Sequence, residues 1–264
     1  MKYFVFGSNG MMGKHFCSLA KDAVELTRED YNILSNNEKL LLNMLEKEKD
    51  ISSEDVILNF AGAIKQRNFS LRDYVLINSL FPHQLEVVAK KIGCKFIHLT
   101  TDCVYDGLKG SYVETDDHNC TDWYGKSKSL GEPENSCCIR TSIIGLGSKD
   151  NVSLLDWFIN EEKDNLFGFT NHLWNGVTCT ELSELIIKLI DEGNLWQGTR
   201  HVFSNPVSKY ELLRHVNDVF SLRKNLQEKI SEDTCDRTLS SIHEQSFAVK
   251  SIEEQIEDLK SSCL

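Results

Sequence analysis

The glycine run Gly7-Ser8-Asn9-Gly10-Met11-Met12-Gly13 constrains this chain more than any other stretch, because of where it falls. It follows the apolar run Tyr3 to Phe6 and opens the amphipathic segment Met11 to Lys21, after which comes a second apolar run, Ala23 to Leu26. Strand, tight turn, helix and strand in that order make a βαβ unit. In such a unit the first glycine permits the turn, the second lets backbone approach a pyrophosphate, and the third lets helix pack closely on strand. Exposed N–H groups and the helix dipole favour an anion at that point. Gly7, Asn9, Gly10, Met11, Met12 and Gly13 are therefore candidate cofactor-binding residues, with a purely structural glycine turn as the competing reading.

The alternation continues with a Leu-rich helix from about Asn36 to Lys49, a strand Asp55 to Asn59, a helix Leu71 to Lys91 and a strand Lys95 to Leu99. This repeat predicts an α/β fold with a doubly wound parallel sheet. A helix Trp123 to Gly131 and a strand Cys137 to Arg140 extend it. Beyond Asn151 the pattern loosens into helices Leu154 to Asn160 and Thr180 to Ile190 around a loop Asn171 to Gly176, then helices Lys209 to Phe220 and Ser251 to Leu259 separated by a polar segment Gln227 to Ser246. We expect a dinucleotide-binding domain over 1–150 and a small, mainly substrate-binding C-terminal region over 151–264, with 178–203 returning to the first domain.

Composition excludes several classes. The 40 acidic against 29 basic residues give a net charge of -11 with no basic run, the wrong sign for a nucleic-acid partner. Nine cysteines, an odd number, form no CxxC pair and no zinc spacing, and read as reduced cytosolic thiols. No stretch approaches the ~18 apolar residues of a membrane span, and the N-terminal apolar run is too short for a signal peptide. A cytoplasmic protein with no membrane partner is expected. The cluster Glu114, Asp116, Asp117 and His118 reads as a solvated loop, His98 as a satisfied near-core histidine, and no metal site is expected.

Tyr124-Gly125-Lys126-Ser127-Lys128 places a phenol and an ammonium one helical turn apart. A tyrosine has a pKa of about 10, and a neighbouring ammonium stabilises its phenolate. Alone, such a pair is more often a surface helix face. Upstream, however, Thr101 ends a strand and offers a hydroxyl that could hold a substrate carbonyl beside the phenol. After the second strand the chain reads Leu26-Thr27-Arg28-Glu29, and Arg28 could pair with a 2′-phosphate, which favours NADPH over NADH.

Together these features resemble an extended short-chain dehydrogenase, and specifically the dTDP-4-dehydrorhamnose reductase family of sugar-nucleotide reductases. The GxxGxxG spacing already leans that way. The resemblance rests on Gly7 to Gly13, Asn59-Phe60-Ala61-Gly62, the segment Thr100 to Gly107, Tyr124 to Lys128 with Gly131-Glu132, and Arg140-Thr141-Ser142. It implies Thr101, Tyr124 and Lys128 as the catalytic set, Ala61, Gly62 and Ala63 along the cofactor groove, and Asn78 as support from the following helix. It further implies Asp102 and Trp174 near the substrate. Asn32 stands where the family commonly has aspartate. In related dehydratases the hydroxyl residue is followed by Asp and Glu, but here Cys103 follows Asp102, so elimination lacks its base and reduction is favoured. The implied activity is NADPH-dependent reduction of the C4 carbonyl of a nucleotide-activated 4-keto-6-deoxy sugar. The alternatives are a nucleotide-sugar epimerase with bound NAD, and a non-catalytic NADP-binding subunit like the regulatory subunit of methionine adenosyltransferase. Subunit number stays open, a homodimer through an exposed helix being one arrangement.

Overall fold

The computed structural model describes residues 1–147, 153–163, 165–244 and 247–261. β1 (Tyr3–Phe6), α1 (Met11–Leu19) and β2 (Ala23–Leu26) form the βαβ opening. α2 (Glu38–Asn43) runs on as a π-helical stretch, Met44–Glu48, and leads to β3 (Val56–Asn59). α3 (Leu71–Tyr74), a π-helical stretch Val75–Leu80 and α4 (Phe81–Ile92) make one continuous helix before β4 (Lys95–Thr101). Then come α5 (Trp123–Ser129), β5 (Cys137–Thr141), β6 (Ile143–Ile144), α6 (Leu154–Asn160) and β7 (Asn165–Phe169). β8 (His172–Trp174), β9 (Val177–Thr178), α7 (Cys179–Asp191) and β10 (Gly198–His201) follow. The described chain closes with β11 (Val207–Ser208), α8 (Lys209–Val219), β12 (Asn225–Lys229), β13 (Cys235–Asp236) and α9 (Ile252–Ser261).

Six strands form the central sheet in the order β10-β5-β4-β3-β1-β2, every pairing parallel. Helices cover both faces, which is why β1, β3 and β5 are buried at every position and open on apolar residues on both faces. On one face Val5, Leu58 and Ile139 pack with Phe16 of α1 and Leu182 and Ile186 of α7; on the other, Phe4 and Ile57 pack with Leu41, Leu85 and Val88. Each such side chain contributes roughly 1.5–3 kcal/mol by leaving water. Because β2 lies on one side of β1 and β3 on the other, the chain reverses direction across β1 and leaves a crevice beyond the strands' carboxyl ends. The turn from Gly7 and the segment after Asn59 both enter that crevice.

The region after β5 is only partly as read from sequence. α7 packs along α1 and β10 extends the sheet beside β5. A separate core joins α6, α8 and α9 through Leu155, Phe158, Leu212 and Ile256. The expected loop at Asn171 to Gly176 is instead a strand, β8, held between β11 and β13, and β13 lies inside the polar segment expected from Gln227 to Ser246. These strands are two or three residues long, and what makes them strands is pairing across the lobe rather than local propensity. Among the described residues, all eight cysteines are free and no helix is long and apolar enough to cross a membrane.

Candidate active site

The turn after β1 is built by packing. Gly7 has φ +81, and a Cβ there would stand 2.5 Å from the Ala61 nitrogen; at Gly13 a Cβ would stand 2.3 Å from the Gly7 carbonyl oxygen. Both glycines are fixed by the fold and lie behind the cleft. Gly10 differs, since an added Cβ would meet only the Gly7 oxygen, at 3.1 Å. It caps α1 without any side-chain bond to the first helical N–H groups, and with Asn9, Met11 and Met12 it lines the cleft wall. Uncapped N–H groups beside a residue with no side chain fit a pyrophosphate.

Across the crevice, Thr101 ends β4. Its hydroxyl accepts the Cys103 N–H at 3.2 Å and donates to Asp102 Oδ1 at 3.1 Å, which fixes the turn that carries it. Tyr124 and Lys128 project from α5, whose first turn is capped by Asp122. Lys128 is 6% exposed, and its ammonium donates to the Leu99 carbonyl at 2.8 Å. Burial lowers its pKa to about 8. Burial likewise pushes the Tyr124 phenol up, with the Thr101 hydroxyl acting the other way. Thr101, Tyr124 and Lys128 line one cleft of about 420 Å³ together with Asn9 to Met12, Ala61, Gly62 and Trp174.

Asn78 stands one layer back. It accepts the Ala63 N–H at 2.8 Å and donates to the Ala63 carbonyl and to the Ser127 hydroxyl, each at 3.0 Å. It thereby ties the groove segment 61–63 to the helix that carries Tyr124 and Lys128, and Ala63 is buried with it. Behind α5 the Arg140 side chain, 2% exposed, pairs with Glu132 and bonds Tyr105 Oη at 2.6 Å, His118 Nε2 at 2.7 Å and His201 Nε2 at 2.8 Å.

The family model described as the RmlD substrate binding domain matches residues 1–251. This chain belongs to that family. Spore coat polysaccharide biosynthesis protein SpsK of Bacillus subtilis is 26% identical over 254 residues, 90% of this chain and 86% of the relative. The dTDP-4-dehydrorhamnose reductase of Burkholderia thailandensis is 33% identical over 138 residues, 50% of this chain and 44% of that one. Among solved structures, the dTDP-4-dehydrorhamnose reductase of Clostridium acetobutylicum superposes with a TM-score of 0.82 at 21% identity, over 100% of this chain and 99% of that one. The reductase of Bacillus anthracis, in complex with NADP, gives 0.82 at 19%, over 99% of each. At these identities the superpositions speak for the fold alone.

Within this RmlD-family cleft, several residues stand differently from expectation. Arg28 is exposed at the end of β2, outside the cleft wall, and makes no ion pair or hydrogen bond among the described residues. Asn32 is exposed too, and its side chain caps a short 3-10 turn by accepting the Leu34 N–H. Trp174 does line the cleft but is 4% exposed, and the Lys209 ammonium lies 5.2 Å from its ring centroid. His98 is fully buried; Asn59 satisfies Nδ1 at 3.1 Å, while Nε2 has no hydrogen-bond partner among the described residues, so it is not the fully satisfied histidine the sequence suggests.

The acidic cluster is not a solvated loop either. Glu114 accepts from the His201 and Ile242 N–H groups and the Ser241 hydroxyl, Asp116 pairs with Lys109, and His118 joins Arg140. No three metal-ligating side chains gather among the described residues. Lys65 and Lys209 line the cleft and went unnoticed in the sequence. The only signal for Lys209 was its place after Ser208, the start of a Ser-x-x-Glu capping box.

Proposed function

We propose that this chain reduces the C4 carbonyl of a nucleotide-activated 4-keto-6-deoxy sugar with NADPH, as a step in polysaccharide biosynthesis. The observation that carries the reading is one cleft that holds an uncapped helix start at Gly10, the Thr101 hydroxyl, the Tyr124 phenol and the Lys128 ammonium. The bound cofactor would supply the hydride. Thr101 and Tyr124 hold the carbonyl oxygen, and Tyr124 gives it a proton. A phenol whose pKa burial has raised stays protonated at neutral pH, as a proton donor must. Lys128 holds the ribose of the cofactor, and Arg28 is free to meet a 2′-phosphate.

Elimination is disfavoured by the same walls. The only carboxylate lining the cleft among the described residues is Asp102, already bonded to Thr101, and the Cys103 thiol is pushed up to about 12 by burial, too high to serve as a base. The NADP complex of the Bacillus anthracis relative and the polysaccharide role in the name of the Bacillus subtilis one support cofactor and pathway class.

The test is turnover of NADPH with enzymatically made 4-keto-6-deoxy nucleotide sugars. Wild type should oxidise NADPH only with substrate present, and Tyr124→Phe should lower kcat by about 100-fold or more. A fall of less than tenfold would remove Tyr124 from the proton-donor role, and no turnover of any such sugar would sink the reductase reading.

A further inference from the structure

Of the cations in the cleft wall, Lys209 is the one that is drawn out of water and yet has neither an ion pair nor a hydrogen bond among the described residues. Lys65 pairs with Asp122 at 2.7 Å, Lys128 donates to the Leu99 carbonyl, and Arg67 stands exposed at the rim. Nearby Arg237 is engaged by the carbonyls of Tyr105, at 3.0 Å, and Asp106, at 3.3 Å. Lys209, the first residue of α8, is partly buried, with its ammonium over the Trp174 ring, and has no carboxylate within ion-pair distance and no hydrogen bond among the described residues. The carboxyl that acts on it most is Asp102, which is itself bonded to the Thr101 hydroxyl and pushed toward its neutral form by burial. Trp174 is packed beneath the ammonium as a platform, through strand pairing of β8 with β11. An ammonium held out of water without an anion is unfavourable unless a ligand supplies one.

The wall that carries Lys209 also carries Thr101, where the substrate carbonyl is placed by the reading above, so an anion reaching Lys209 must adjoin the reacting sugar. In a nucleotide sugar that anion is the diphosphate. Resting on that reading, we propose that Lys209 binds the diphosphate of the substrate and thereby selects nucleoside-diphosphate-linked sugars over free ones. Trp174 acts through Lys209, as a positioning residue whose ring centroid lies 5.2 Å from the ammonium.

The protein carrying bound NADP+ is titrated with dTDP, UDP and GDP by calorimetry, in wild type, Lys209→Met, Lys209→Gln and Lys209→Arg. A lost charge-assisted bond predicts that the preferred diphosphate binds at least about tenfold more weakly in both neutral variants, while the arginine variant stays within about threefold and NADPH affinity within about twofold. The NADPH titration shows that each variant is folded, and Lys209→Gln answers the question if Lys209→Met does not fold. Unchanged diphosphate affinity in the neutral variants overturns the inference. So does a loss seen only with the intact sugar nucleotide, which would put the contact on the sugar. Wild type that binds NADPH but none of the three diphosphates would instead remove the nucleotide-sugar reading, and this inference with it.

Discussion

Replacing Lys128 by methionine should lower activity by about 100-fold or more and yet stabilise the fold. The side chain is 6% exposed, and burial takes its pKa from 10.5 to about 8. At 1.36 kcal/mol for each tenfold change in proton affinity, holding the ammonium charged inside the protein disfavours folding by about 3 kcal/mol at neutral pH. Methionine removes that penalty and keeps an unbranched apolar stem, but it gives up the bond to the Leu99 carbonyl, about 1–2 kcal/mol for a charged donor. The net gain is about 1–2 kcal/mol at pH 7. The sign follows from linkage: the folded pKa lies below the unfolded one, so between about pH 8 and 10.5 the unfolded chain holds the extra proton and wild type gains stability as pH rises. The gap between the two proteins should therefore be full below pH 8 and shrink toward zero or reverse by about pH 10.5. Urea denaturation followed by circular dichroism at pH 7 and pH 10.5 measures it, alongside kcat/KM, which should fall by about 100-fold or more at pH 7. A variant less stable than wild type at pH 7, or a gap that does not narrow with pH, would refute the reasoning.

Two glycines of the turn should separate by assay. Gly10→Ala should leave the melting temperature within about 2 °C and weaken NADPH binding by about tenfold or more, since its methyl meets only the Gly7 oxygen, at 3.1 Å, and otherwise projects into the cleft, whereas Gly13→Ala should destabilise the protein by roughly 2 kcal/mol or more through overpacking against the Gly7 carbonyl. Thermal melts and cofactor titration of both variants check this, and equal melting temperatures would contradict it. Arg140→Met strands Glu132 in the interior with the Thr100 and Thr199 hydroxyls and, at 3.9 Å, the His118 ring as its remaining partners, a loss of about 3–5 kcal/mol and a melting temperature lower by roughly 6–20 °C. A drop under 3 °C in scanning calorimetry would show that the buried pair contributes little.

What the sequence disclosed was what local chemistry determines. The turn from Gly7 to Gly13 was legible because all of its demands, a left-handed residue, an uncapped helix start and a close helix contact, fall on seven consecutive positions. Tyr124 and Lys128 were legible through a one-turn spacing, and Thr101 through its place at a strand end. Lys209 was not, since nothing in its neighbourhood reveals that β8 carries Trp174 beneath it. β8 itself escaped notice because its partners, β11 and β13, are far along the chain and each two residues long. The Glu132–Arg140 pair was seen only as two matching segments. That His118, His201 and Tyr105 converge on Arg140 depends on the packing of three separate segments around β5, which no short window contains.

Among the described residues the cleft wall carries Lys65, Arg67, Lys128 and Lys209 against one carboxylate, Asp102, in a molecule whose net charge is -11. Lys65 and Arg67 are exposed at the rim while Lys128 and Lys209 lie deeper, which makes the cleft a positive patch in an acidic molecule. At physiological ionic strength the field of the exterior fades over about 8 Å, so it matters most to molecules that lie along the surface. A long polyanion meets the acidic exterior at many points at once and is turned away. A dinucleotide or a diphosphate is small enough to cross that thin layer and reach lysines in a drier, less screened interior, where attraction is stronger. On the proposed reading, in which the cleft holds a dinucleotide and a nucleoside diphosphate, this charge arrangement favours small phosphate ligands over phosphate polymers.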